Sequence, residues 1–156
     1  CERLSEMCAK ALTGCEGKVA VGATYLAMDG PQFSTRAESR MYRSWGADII
    51  GMTGMPEAKL AREAELPYAL VGMVTDYDCW REGDAVDVAE VVAQMKENGA
   101  LARAMVVKLI ESLPKKRKPS PIDTCLATAI ITAPEEQDPA VMAKLDAVAG
   151  RVLGSS

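Results

Sequence analysis

The chain has 156 residues, 49% of them hydrophobic, and its 18 Lys and Arg against 22 Asp and Glu leave a formal net charge of −4. That is one domain's length with material for a core, and the acidic balance argues against a polyanion such as nucleic acid as the main partner. No apolar run is long enough to span a bilayer and the opening CERLSEMCAK has no signal-peptide core, so a cytoplasmic protein without a membrane partner is expected.

Leu4, Met7, Cys8, Ala11, Leu12 and Cys15 recur at three- and four-residue steps, which predicts a helix with one buried face, closed by Gly14 or Gly17. Cys1, Cys8 and Cys15 fall on that face as packed thiols, and with Cys79 and Cys125 they form no CxxC pair, so neither a disulfide framework nor a zinc ribbon is indicated. The chain starts abruptly in this pattern without a Met, as one piece of a longer polypeptide would. KVAVGATYLAM (18–28) reads as a strand, DGPQF as a turn, and STRAESRMYRSW as a helix capped by Ser34 or Thr35. Ala37, Met41 and Trp45 share one face of that helix, with Arg36, Arg40 and Arg43 mostly on another.

ADIIGM (47–52) is a short β-branched run, PEAKLAREAE (56–65) a helix with Pro56 in its first turn, and PYALVGMV (67–74) the next buried strand. From Val88 to Leu113, apolar residues at Val88, Val91, Val92, Met95, Ala102, Val106, Leu109, Ile110 and Leu113 hold helical spacing, with Gly99 on the same face. The basic stretch PKKRKPSP (114–121), within a connection over 113–125, has the composition of a polyanion patch but reads more simply as a solvated link. A short helix or strand, a loop at APEEQDP and a final helix over 138–153 complete the chain, the last with Val141, Leu145, Val148 and Val152 on one face.

Strand, helix, strand, helix, strand, helix implies right-handed crossovers and an α/β fold, with a mixed, largely parallel central sheet flanked by helices. Such sheets bind ligands beyond the carboxyl ends of their strands. Those ends are 29–33, then Met52 and Thr53, then 75–78, so the polar and aromatic oddities of the sequence gather at one rim.

Asp76 and Asp78 end an apolar run one residue apart. If 75–78 stays extended, both carboxyls face one way and address adjacent atoms of a planar ligand, such as N7 and the 6-amino group of adenine. Two aspartates at this spacing also serve as Mg²⁺ or Mn²⁺ ligands, or simply as turn formers. Phe33 is either a base-stacking ring or a core aromatic, and Met52 and Thr53 are by default core and cap. There is no histidine, so no His-based triad or His metal site can be made from this chain alone.

Three motifs decide among these: GPQFSTRAES, GADIIGMTGMPE and TDYDCW. Together they closely resemble the 5′-methylthioadenosine phosphorylases of the purine nucleoside phosphorylase family, over about two thirds of the chain and more loosely into AIITAPEEQDPAVMAKLDAVAGRVL. The resemblance implies that fold, and roles for individual residues. Phe33 packs on the purine with Ser34 beside it, Met52 lines the ribose, and Thr53 serves phosphate and ribose. Asp76 faces N7, Asp78 favours a 6-amino group, and Val88 and Val91 line an apolar 5′-methylthio pocket. It further implies phosphorolysis of 5′-methylthioadenosine to adenine and 5-methylthioribose 1-phosphate, with inorganic phosphate as co-substrate and neither metal nor other cofactor. Donation at N7 calls for a protonated Asp76, which an apolar strand end and a neighbouring Asp78 both favour.

Asp29 stands where family members often carry Glu before Gly-Pro, which leaves the turn intact. The family's N-terminal region, source of most phosphate contacts, has no counterpart here. The chain is therefore expected to be the C-terminal portion of such a domain, partnered by the N-terminal portion as a separate chain and assembling as a trimer of the complete unit. Competing readings are a related nucleosidase, a phosphorylase of 6-oxopurines or 5′-methylthioinosine, a silent purine-binding fragment, and last a metal-dependent enzyme built on the two aspartates.

Overall fold

The computed structural model describes residues 1–81 and 88–153. Helix α1 (Glu2–Ala11) is followed by strand β1 (Tyr25–Ala27), helix α2 (Arg36–Ser44), strand β2 (Ile49–Gly51), helix α3 (Gly54–Glu63), the long α4 (Val88–Ser112) and α5 (Pro139–Leu153). Among the described residues the sheet is a parallel pair, with Tyr25 opposite Ile49, Leu26 opposite Ile50 and Ala27 opposite Gly51. This is the β-α-β unit of an α/β fold, with α2 as the crossover.

Tyr25 locks the pair to α3. Its hydroxyl accepts a hydrogen bond from the Gly54 N–H at 3.3 Å, at the N-terminus of α3. A Cβ on Gly51 would fall 2.2 Å from that hydroxyl, and one on Gly54 would fall 2.9 Å from the ring and 2.5 Å from Leu70 Cδ1. Only residues without a side chain fit there. Helix α3 consequently starts two residues before the predicted Pro56. It ends at Glu63, and the chain leaves it through Glu65, a non-glycine residue at φ 53° whose carboxylate accepts from the Leu126 N–H and from two nitrogens of Arg151 on α5.

A second cluster joins α1 to α4, where buried Cys8 and Ala11 meet Met105, with Leu4, Leu12, Ala69 and Leu109 packed around them. Burial pushes the Cys8 thiol up from its ordinary value, as for a packed thiol. Helix α1 closes at Leu12 and the chain turns through Gly14 at φ 76°, which puts Cys15 beyond the helix. The amino group of Cys1 donates to the Tyr68 carbonyl at 2.6 Å and pins segment 67–74 beside α1.

Several expectations are corrected. Only three residues of 18–28 enter the ladder, while Val19 and Val21 are exposed. Segment 67–74 is not a strand, and Leu70, Val71, Met73 and Val74 are 36–59% exposed, because no neighbouring strand among the described residues answers its backbone groups. In α2 the face carrying Met41 and Trp45 is exposed, and Ser39 is the buried residue. In α4 the buried residue is Met105, outside the predicted stripe, whereas Val92, Met95, Val106 and Ile110 of that stripe are exposed. Helix α4 is thus apolar on two sides, one against α1 and one open. The accessible surface is 11,928 Å², against about 7,600 Å² for a compact monomer of this mass.

The basic stretch is tethered, with the Arg117 guanidinium gripping Asp123 at 2.8 and 2.6 Å. Asp123 also accepts from the Ser120 N–H in a capping box that opens a short 3₁₀ turn, Pro121–Thr124. A second such turn, Pro134–Glu136, precedes α5.

The Arg151 hydrogen bond holds the Glu65 carboxyl below the usual carboxylate value of 4.5. A depressed value in the folded state means that the contribution is full above the ordinary value and is lost as the pH falls through the lowered one. The protection of α5 amides, relative to the intrinsic exchange rate at each pH, should therefore be steady above about pH 5 and fall on acidification below the ordinary Glu range. An Arg151→Met variant should exchange faster at neutral pH and lose that acid step.

Candidate functional site

The rim beyond β1, β2 and segment 67–74 is built from three short loops. In the first, Gly30 has φ 73° and the chain turns through Pro31 and Gln32 to Phe33, which is 84% exposed. Thr35 rather than Ser34 caps α2, in a reciprocal box with Glu38, and these bonds hold the Glu38 carboxyl below its ordinary value. Ser34 is left half-buried, its hydroxyl donating to Met28 Sδ at 3.5 Å.

The second loop is Met52 and Thr53. The Met52 side chain lies over the first, its Cε 2.1 Å from where a Cβ on Gly30 would sit. Thr53 is the N-cap of α3, yet its side chain makes no capping hydrogen bond.

The third loop, 75–81, carries the two carboxylates. Asp76 is exposed, with Oδ2 accepting from the Thr75 hydroxyl at 2.6 Å, and Asp78 is half-buried, with Oδ1 accepting from the Cys79 N–H at 2.8 Å. The apolar strand end expected before them is not formed, since the preceding segment is itself uncovered. Asn98 of α4 donates to the Val74 carbonyl at 2.8 Å and steadies the root of the loop.

Loops one and three touch. The Cys79 thiol donates to the Ser34 carbonyl at 3.3 Å, across 45 residues of sequence. Local desolvation and then the Asp78 carboxylate push that thiol up, which keeps it a neutral donor. Beside it the Arg43 guanidinium of α2 lies 3.5 Å from the centroid of the Trp80 ring. Trp80 meets Tyr77 edge-on at 6.1 Å, and Arg81 lies 4.2 Å from the Tyr77 ring centroid.

Phe33 and Ser34, Met52 and Thr53, and Asp76 and Asp78 therefore lie on three loops joined by direct contacts. Val91 is half-buried on α4, two turns before Asn98 and on about the same side of the helix. Val88 opens α4, but its side chain lies outside the described residues, as does the whole of the AVD that precedes it (85–87). Among the described residues no three His, Cys, Asp or Glu side chains are grouped to hold a metal ion, and no helix is long and apolar enough to cross a membrane. Sequence reasoning missed Cys79, Trp80 and Arg43 as links between loops. The first two lie inside the TDYDCW motif, but nothing local pairs Trp80 with Arg43.

Residues 1–111 match the model of the phosphorylase superfamily. The chain belongs to that family. It is 54% identical over 138 residues to S-methyl-5′-thioadenosine phosphorylase of Bradyrhizobium diazoefficiens, covering 86% of this chain and 47% of the relative. The same-named protein of Cereibacter sphaeroides is 52% identical over 156 residues, covering 98% and 54%. Among solved structures, a methylthioadenosine phosphorylase from an antarctic soil metagenomic library matches at TM-score 0.79 and 35% identity, over 97% of this chain and 52% of that one. Methylthioadenosine phosphorylase from Schistosoma mansoni in complex with adenine matches at TM-score 0.69 and 29% identity, over 80% and 49%. The chain spans about half the length of the curated relatives it matches.

Gly30→Ala tests the joint between the first two loops. A Cβ at positive φ, driven into Met52, should cost about 1 kcal/mol or more. The expected result is a lower melting temperature and a displaced Met52 methyl resonance.

Proposed function

We propose that this chain supplies the purine- and ribose-facing part of a 5′-methylthioadenosine phosphorylase site, as the C-terminal portion (1–156) of a single nucleoside phosphorylase domain. The observation that carries the reading is the bond between loops: the Cys79 thiol on the Ser34 carbonyl sets the Asp76 and Asp78 loop against the loop of Phe33. The names of the similar proteins supply the substrate class.

Breaking an N-glycosidic bond puts positive charge on the ribose and negative charge on the departing purine. A proton delivered at N7 by Asp76 stabilises the transition state more than the ground state. Asp78 accepts from the 6-amino group, Phe33 covers the base with Ser34 beside it, and Met52 lines the ribose. The Thr53 hydroxyl, which makes no capping bond, is available to ribose and phosphate. Val91, and Val88 on the resemblance alone, belong to the 5′-methylthio pocket. Inorganic phosphate traps the sugar at C1′ to give 5-methylthioribose 1-phosphate, and no other cofactor takes part.

The open apolar side of α4 and the uncovered 70–74 support a second component. In this reading the N-terminal portion of the enzyme is a separate chain that covers them and brings most of the phosphate site, in a cytoplasmic trimer of the complete unit. Without it the chain should bind purine weakly and turn nothing over.

The first test is adenine release from 5′-methylthioadenosine by the protein as isolated, with and without phosphate. Phosphate-dependent release is expected where the N-terminal portion is present as the second chain, and none from this chain by itself; equal release without phosphate makes the enzyme a nucleosidase, and binding without release even with that partner present makes the chain a silent fragment. Asp76→Asn should lower turnover about 10²- to 10⁴-fold with little change in binding. Asp78→Asn should instead erode the preference for adenine over hypoxanthine nucleosides, by about 10- to 100-fold. Equal, small losses in both variants would remove these roles.

A further inference from the structure

We infer that Arg43 and Trp80 form a clamp that positions the base-reading loop, an inference that rests on the function proposed above and adds two residues to its site. Arg43 lies on α2, the helix that begins directly after Phe33, Ser34 and the Thr35 cap. Trp80 lies two residues beyond Asp78. With the guanidinium carbon 3.5 Å from the ring centroid, the planar cation lies against the indole face, an arrangement that Arg makes better than Lys because the guanidinium is flat and more weakly hydrated.

The contact continues inward. Trp80 meets Tyr77 at an interplanar angle of 88°, and Arg81 lies over Tyr77, so cation, ring, ring and cation follow one another from α2 into the loop. Tyr77 is the residue between Asp76 and Asp78, and holding its ring restrains the backbone from which both carboxylates spring. The Cys79 thiol on the Ser34 carbonyl is a second tie in the same direction.

Tyr77 is 60% exposed and half-exposed rings on a loop do not stay in place by burial alone. A preorganised acid has to be held near its working position before substrate arrives, since small misplacements cost rate steeply. Arg43 and Trp80 touch no reacting atom in this arrangement. They act through the loop.

The test is Arg43→Gln, Trp80→Leu and the double variant in the protein as isolated, with Arg43→Lys and Trp80→Phe as the conservative partners. Amide exchange of 75–81 is read first, because it needs no turnover. Each single variant should speed exchange there at least fivefold, the double variant no further, and Trp80→Phe should retain most of the protection, whereas Arg43→Lys should retain only part. In kinetics, turnover of 5′-methylthioadenosine should fall about 10-fold or more and the adenine preference should weaken, while KM for phosphate stays put. Unchanged exchange in Arg43→Gln, or losses that simply add in the double variant, would overturn the clamp. If the unmodified protein releases no adenine even with the N-terminal portion present, the function proposed above fails while the exchange data still decide the clamp.

Discussion

Tyr25 resting on two glycines governs where the rim begins. Its hydroxyl takes the first free N–H of α3 and its ring fills the space that side chains at Gly51 and Gly54 would occupy, so strand register, helix start and the turn between them are set by one side chain. Met52 and Thr53 sit inside that turn. Met52 on Gly30 and Thr53 at the head of α3 therefore both depend on where that ring lies. A parallel strand pair of three residues has little cohesion of its own, and a wedge of this kind is what gives so short a ladder a defined geometry.

The open surface sets the other limit. A helix apolar on two sides is at home in an interior, and α4 has only one of its sides covered, by α1. Segment 67–74 and α2 also expose apolar residues, and the total accessible surface is about half as large again as a compact chain of this mass presents. The chain covers itself between α1 and α4 and between β1, β2 and α3.

How much could be read beforehand follows the same division. The cap at Thr35, the helix from Val88, the strand at 49–51 and the rim motifs are local patterns of spacing and turn chemistry, and local patterns are visible in one sequence. The buried side of α4 was misread because apolar residues occur nearly all round it, and periodicity alone cannot say which stripe meets α1. Segment 67–74 was misread for a related reason: β-branched composition signals a strand, but a strand exists only when neighbours accept its backbone bonds. Ser39 inside and Trp45 outside reverse the amphipathic reading of α2, and the Arg43 and Trp80 contact is tertiary, with no periodic trace.

Exposure of Asp76 and exposure of the apolar residues before it are one physical fact. Leu70, Val71, Met73 and Val74 lead straight into the loop, and any layer that covers them also removes water from around the carboxyl at their end. Covering apolar area is favourable by about 25 cal/mol per Å². Drying a lone carboxylate is unfavourable, and in a low-dielectric site the neutral acid becomes the better form. The same covering layer that stabilises the fold would therefore also change the surroundings of Asp76, and the role proposed for that carboxyl belongs to the covered state.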